Sequence, residues 1–187
     1  MRILGLPGSL RAASTNSLLL RAAAQLAPSD VHIEIYDGLG SLPHFNPDLD
    51  PGIDNGVLPE TVRALRSQAG LSDGLLICAP EYAHGVPGSL KNALDWLVGC
   101  TEFPGKPVAL WNASPRAIHA DMQLREVLTT MSARLAERAS IVIPVQGTTL
   151  GVEAIVSDPG LSVLIRQAMA DFVETVRANA SELVPAP

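Results

Sequence analysis

Cysteine is nearly absent from this chain: of 187 residues only Cys78 and Cys100 carry thiols, too few for the disulfide framework that holds small secreted domains together. Cys78 lies in an apolar run and reads as a core thiol rather than a redox or metal-binding one. Basic residues are also scarce. There are 13 Lys and Arg against 19 Asp and Glu, a formal net charge of -6 and a pI near 5.1. Nucleic acid or an anionic membrane surface would need clustered cations to neutralise phosphate, so neither is an expected partner. Small molecules are.

Long hydrophobic runs are missing as well. None approaches the ~20 residues that cross a bilayer, and the first residues lack the basic segment, apolar stretch and cleavage site of a signal peptide. A cytoplasmic protein is expected. The four histidines, at positions 32, 44, 84 and 119, fall at unrelated spacings, which predicts no metal site. There is no internal repeat and no low-complexity tract.

What is present is 47% hydrophobic and 17% charged residues, a balance that suits one globular domain over 1–187 with a sizeable core. Short β-branched or apolar runs at 2–6, 31–36, 74–79, 107–111 and 141–145 read as strands. Amphipathic stretches at 16–26, 58–70, 87–98, 121–135 and about 161–183 read as helices. The segment 37–57, rich in Gly, Pro and Asp, reads as an irregular surface connection.

Five strands alternating with five helices predict an α/β fold, a single doubly wound five-stranded parallel sheet of order 2-1-3-4-5 with helices on both faces. In that order the first crossover runs one way and the next runs the other. A crevice opens where the loops after strands one and three diverge, and ligands of such sheets bind there.

Those two loops carry the unusual residues. The first reads Pro7-Gly8-Ser9-Leu10-Arg11-Ala12-Ala13-Ser14-Thr15-Asn16 and runs into a helix. Helix N-terminal amides and small hydroxyls suit a phosphate, and Arg11 adds a charge-assisted contact. A loop in which Ser14 or Asn16 merely caps the helix is the alternative. The loop lacks the Lys-Ser/Thr ending of a P-loop and the three-glycine spacing of a dinucleotide fingerprint, which leaves a monophosphate as the best fit. The second loop, Pro80-Glu81-Tyr82-Ala83-His84-Gly85-Val86-Pro87, has a backbone path set by Pro and Gly and an aromatic flank at Tyr82, a surface for a planar heterocycle. The helix after it buries Leu90, Ala93, Leu94 and Leu97 on one stripe, while Lys91, Asn92, Asp95 and Trp96 read as ties to neighbouring loops or as a subunit interface. A response-regulator-like domain is excluded: it needs acidic residues at the ends of strands one and three to hold Mg²⁺, and Pro7-Gly8 and Cys78-Ala79-Pro80 stand there.

These two segments resemble the NADPH-dependent FMN reductase family, whose members have a flavodoxin-like fold and include quinone, azo-dye and chromate reductases. Gly8-Ser9-Leu10-Arg11 with Ser14 and Asn16 is similar to its phosphate loop; Pro80-Glu81-Tyr82 through Pro87, Leu90-Lys91-Asn92-Ala93 and Asp95-Trp96-Leu97 are similar to its flavin-ring loop and following helix. With Gln123-Leu124-Arg125, the likeness covers most of the chain to about residue 180.

The resemblance implies an oxidoreductase with FMN as cofactor and NADPH or NADH as hydride donor. No side chain would be catalytic, because flavin N5 carries the chemistry, and a small-molecule acceptor such as a quinone, azo compound, flavin or metal oxyanion would follow the donor in ping-pong fashion. Ser9, Leu10, Arg11, Ser14, Asn16 and Ser17 would hold the phosphate side, and Pro80, Glu81, Tyr82, His84, Gly85 and Ser114 the ring side. A homodimer or homotetramer is implied. A flavin-binding electron carrier without its own nicotinamide site is the alternative. Two departures from the family pattern stand out: Ala83, where Asn is usual after the Tyr, and Ser114-Pro115-Arg116-Ala117-Ile118, where a Gly-Gly pair is usual. The loops at 38–57, 114–120 and 146–159 would set the choice of acceptor.

Overall fold

A computed structural model describes residues 1–51, 56–145 and 151–182. The sequence expectations at 52–55, 146–150 and 183 lie outside those residues. The strands are β1 (Arg2–Pro7), β2 (His32–Ile35), β3 (Gly74–Cys78), β4 (Pro107–Asn112), β5 (Arg134–Leu135) and β6 (Ile141–Val142). The helices are α1 (Thr15–Leu26), α2 (Glu60–Leu71), α3 (Gly88–Leu97), α4 (Ile118–Thr130), α5 (Val152–Ser157) and α6 (Pro159–Glu182). Every strand pairing is parallel, and the order is β2-β1-β3-β4-β5 with β6 also on β4, as the alternation of elements predicts.

The central strands are buried on both faces, so their alternating side chains feed two separate cores. Ile3, Leu76, Cys78 and Trp111 point to one side and pack with Leu19 and Leu20 of α1 and Met169 and Phe172 of α6. Leu4, Leu75, Ile77 and Leu110 point to the other, against Leu65 of α2, Leu94 of α3 and Leu128 of α4. With few aromatics available, aliphatic side chains do most of this packing.

The fifth sheet position departs from expectation. Within 141–145 the strand pairing is limited to Ile141 and Val142, at the upper end of β4, continued by amide bonds from Ile143 to Asn112 O (2.8 Å) and Val145 to Ala113 O (3.3 Å), while Arg134 and Leu135 occupy the lower end. Between them a 3-10 turn (Glu137–Ala139) interrupts the edge, and the Ser140 hydroxyl fills the gap by accepting from the Leu110 amide at 3.1 Å. The helix expected at 121–135 therefore ends at Thr130. Ser132 adopts a left-handed φ of 61°, and bonds from the Ser132 amide to Thr129 O (2.9 Å) and from the Ala133 amide to Leu128 O (2.9 Å) close a Schellman-type cap. Glycine usually marks that position, so its absence hid the stop. Residues 152–157, expected as loop, form α5, which buries Ile155.

Residues 38–50 of the expected irregular segment are tied down rather than loosely placed. Their 3-10 turns span Gly38–Ser41 and Pro47–Leu49. The Asn92 side chain accepts from the Phe45 amide (2.8 Å) and donates to Pro43 O (2.9 Å), and Trp96 Nε1 donates to the same carbonyl at 2.8 Å. Asp50 is buried against Arg66. Trp96 is wholly enclosed, with Phe45 edge-on to it, so the structural tie foreseen for Asn92 and Trp96 holds, and the subunit-interface reading of Trp96 is corrected.

Candidate active site

Parallel pairing brings the C-terminal ends of β1, β3 and β4 to one edge of the sheet. Pro7 sits opposite Cys78, and the Gly8 amide extends the ladder to Cys78 O at 2.8 Å. A Cβ on Gly8 would lie 2.5 Å from the Ala79 Cβ, so only glycine lets the two loops leave the sheet side by side. From here the chain turns to α1 on one face and to α3 on the other.

In the first loop Ser9 and Ser14 are buried while Leu10 and Arg11 are exposed. Ser14 caps α1, its hydroxyl accepting from the Ser17 amide at 3.4 Å. The Ser9 hydroxyl accepts from the Arg11 amide at 3.2 Å and lies 2.9 Å from the Tyr82 hydroxyl. The amides of Leu10, Ala12 and Ala13 have no hydrogen-bond partner among the described residues. Together with the first turn of α1 they form a set of donors suited to an anion.

The second loop is a tight hairpin. Tyr82 N donates to Gly85 O (3.1 Å) and Gly85 N to Tyr82 O (2.9 Å), and the two residues between, Ala83 and His84, have φ of 49° and 59°. Positive φ at both central positions is the geometry that favours Asn and Gly. The departure at Ala83 is thus a backbone matter: the chain holds an alanine in a left-handed conformation.

This hairpin is anchored to α4. Glu81 Oε2 accepts from the Ala120 amide at 3.0 Å, placing a carboxylate on the first turn of the helix. That contact supplies a cap from a distant loop, which is why α4 starts at Ile118 rather than at the expected Asp121. Gln123 bridges the hairpin, its Nε2 donating to His84 O (3.1 Å) and its Oε1 accepting from the Val86 amide (3.3 Å). The rings of His84 and His119 lie 4.4 Å apart at a tilt of 38°. Glu81, His84 and His119 offer ligand atoms that all lie within 4.8 Å of one another. The spacing argument against a histidine cluster is corrected here, because folding brings 84 and 119 together across 35 residues of chain.

The third loop joins the others through Asn16. Its buried Oδ1 accepts from the Ala113 amide (3.1 Å) and from the Cys78 thiol (3.3 Å), linking α1 to β3 and to the loop after β4. Within that loop the Ser114 amide donates to Asn112 Oδ1 at 2.8 Å and the Ser114 hydroxyl accepts from the Arg116 amide at 3.3 Å, with Arg116 itself exposed. Full burial pushes the Cys78 thiol well above the usual thiol range, so it stays protonated as a donor and a core group.

The structure thus gathers Ser9, Leu10, Arg11, Ser14, Asn16 and Ser17 at one corner and Pro80, Glu81, Tyr82, His84 and Gly85 at the next, with Ser114 on the third loop. Asn16 and Glu81 spend side-chain oxygens on backbone amides, so part of their work is positioning. The sequence marked Gln123 only as part of the Gln123-Leu124-Arg125 likeness and His119 only as a member of the loop 114–120; nothing in it placed either beside the hairpin, where the fold brings them. A cavity of about 390 Å³ lies at the opposite end of the strands and is lined by Ser72, Lys106 and Val176 among others. Its buried cation is already used: Lys106 Nζ donates to Ser72 O at 2.6 Å and Gly70 O at 3.3 Å, and ligands of such sheets bind at the other edge.

Comparison with known proteins identifies the family. The family model for NADPH-dependent FMN reductases matches residues 1–147. A quinone reductase of Escherichia coli (strain K12) is 32% identical over 143 residues, 74% of this chain and 74% of the relative. An NAD(P)H-dependent FMN reductase of Pseudomonas aeruginosa is 30% identical over 174 residues, 90% of this chain and 91% of the relative. Among solved structures, the flavoenzyme NAD(P)H:(acceptor) oxidoreductase FerB from Paracoccus denitrificans superposes with a TM-score of 0.76 at 25% identity, covering 95% of this chain and 98% of that one.

Proposed function

Because the chain belongs to the NADPH-dependent FMN reductase family, with FMN and NAD(P)H as its cofactors, we propose that it holds FMN at the C-terminal edge of β1 and β3 and reduces a quinone or related small acceptor there. The observation that carries this reading is the Ser9–Tyr82 contact of 2.9 Å. It joins a donor-lined loop to an aromatic hairpin, so one continuous shelf meets a ligand with a phosphate at one end and a flat ring at the other.

The residues present suit that group. Buried hydroxyls of Ser9 and Ser14, the amides around Leu10 and the first turn of α1 around Asn16 and Ser17 form a donor set for a phosphate, and Arg11 supplies a cation. Pro80, Glu81, Tyr82, His84 and Gly85 border the ring, with Ser114 beside them. When bound, FMN supplies a hydride acceptor at N5 and a route for electrons onward to an acceptor. The chain's own part is to hold the ring loop rigid: Gln123 clamps the hairpin from α4, and Asn16 fixes the loop after β4. The half-exposed Tyr82 leaves the shelf open, so donor and acceptor take turns at one face, which gives ping-pong kinetics. We further propose a homo-oligomer, for which the exposed Ile118 and Met122 of α4 offer apolar surface.

The test is spectroscopic. Purified chain is mixed with FMN, freed of excess, and treated anaerobically with NADPH or NADH and then with a benzoquinone. The expected outcome is a retained yellow flavin that bleaches with the donor and recolours with the quinone. Retained flavin that stays coloured under both donors would point to an electron carrier instead, and failure to retain flavin would overturn the site.

A further inference from the structure

We propose that Glu81, His84 and His119 form a binding site for a divalent transition-metal ion, bridging the hairpin after β3 to the first turn of α4. Their ligand atoms already lie within 4.8 Å of one another. In a tetrahedral site with metal–ligand distances of about 2.0 to 2.2 Å, neighbouring ligands stand about 3.3 Å apart, so each pair must draw in by at most about 1.5 Å. Both histidines are exposed, and rotation about their side-chain bonds covers that distance without disturbing the core.

The three groups are held in place without being used up. None of them takes part in an ion pair among the described residues, so the carboxylate is not neutralised by a Lys or Arg. The Ala120 amide holds one oxygen of Glu81 and leaves the other for a metal. Gln123 fixes the backbone at His84, and the hairpin turn sets the direction in which His84 leaves it. His119 is fixed by the helix. Supporting contacts of this kind orient metal ligands and tune their affinity. The Glu81 charge also offsets the positive end of the α4 dipole, which would otherwise repel a cation.

Two imidazoles and one carboxylate suit Zn²⁺, Ni²⁺ or Cu²⁺, whereas Mg²⁺ and Ca²⁺ prefer shells made of oxygen. Three protein ligands leave one position open to water or a small anion. The ion would sit on the α4 side of the hairpin: Tyr82 reaches Ser9 on the α1 side, while Glu81 and the backbone of His84 are bonded to α4. A bound ion would staple the strained hairpin to the helix.

Isothermal titration of the full chain, carrying whatever flavin it retains, with Zn²⁺ and with Mg²⁺ tests this. Saturable binding of one Zn²⁺ per chain is expected, with no comparable binding of Mg²⁺. His84→Asn, which tolerates the left-handed backbone, and His119→Gln should each weaken Zn²⁺ binding by at least about tenfold, while His32→Gln and His44→Gln leave it intact. With Cu²⁺, electron paramagnetic resonance should show coupling to two imidazole nitrogens, reduced to one in either site variant. Absence of saturable Zn²⁺ binding, equal binding of Mg²⁺, or Zn²⁺ binding unchanged in both site variants would overturn the proposal.

Discussion

The hydroxyls of Ser9 and Tyr82 stand 2.9 Å apart, joining two loops that are 73 residues distant in sequence. If this contact unites the phosphate and ring sides of the shelf, removing either hydroxyl loosens both. Tyr82→Phe and Ser9→Ala should each weaken FMN retention by about five- to tenfold, equivalent to the ~1 kcal/mol of one hydrogen bond. The double variant should cost less than the sum of the two single losses, because the substitutions share one bond, while Ser9→Ala also frees the Arg11 amide. Flavin fluorescence titration of the three variants measures this, and fully additive losses would show that the hydroxyls act separately.

Ala83 carries strain that its neighbours hold in place, with φ of 49° in a two-residue turn. Replacing it by Gly, or by Asn, removes a left-handed penalty of about 1 kcal/mol. Ala83→Gly should therefore raise the melting temperature by about 2 to 4 °C in a chain of this size. Calorimetric scans decide; an unchanged or lowered melting temperature would mean that the turn is not strained in solution.

Asn16 serves two donors with one oxygen. Asn16→Ala leaves the Ala113 amide without its acceptor at a site that is nearly closed to water, and should destabilise the chain by about 1 to 3 kcal/mol in urea unfolding. Asn16→Asp keeps the acceptor and should lose less of the stability, while its charge beside the donor-lined loop should weaken binding of a phosphate ligand. The two variants thus separate the positioning role from the binding role.

The buried thiols make stability fall in alkali. Desolvation raises the pKa of Cys78, and burial raises that of Cys100 in the same direction. In the unfolded chain a thiol ionises near its ordinary value of about 8.5, so this contribution is fully present below that pH and is lost as pH rises above it. For Cys78 the cost is about 1.4 kcal/mol per pH unit above that value. Lys106, shifted down by its own desolvation, works in the opposite sense, so the comparison must isolate the thiol. Urea midpoints between pH 7.5 and 10 should decline less steeply in Cys78→Ala than in the parent; parallel curves would contradict the assignment.

Much of the fold follows from local pattern. Buried apolar runs bounded by Gly and Pro mark β1, β3 and β4, amphipathic stretches mark the longer helices, and their alternation yields the sheet order and hence the crevice. The motif loops are legible for the same reason: each is a contiguous run, and phosphate-binding chemistry is carried by neighbours in sequence. The Schellman stop at Ser132 was not legible, because a serine there has no compositional sign of a left-handed residue. The split at the fifth sheet position was not either, since its continuity is restored by one hydroxyl, Ser140, from outside the ladder.

By itself, then, the sequence determined the order of elements, the two-faced core and the identity of the loops at the switch point, because periodicity and turn chemistry act over a few residues. Only the tertiary structure decided which side chains meet: Ser9 with Tyr82, Asn16 with Ala113, Glu81 with the start of α4, and His84 with His119. Those pairs join residues tens of positions apart. Their geometry depends on how each helix packs on the sheet, and that packing is settled by both cores at once rather than by any single segment.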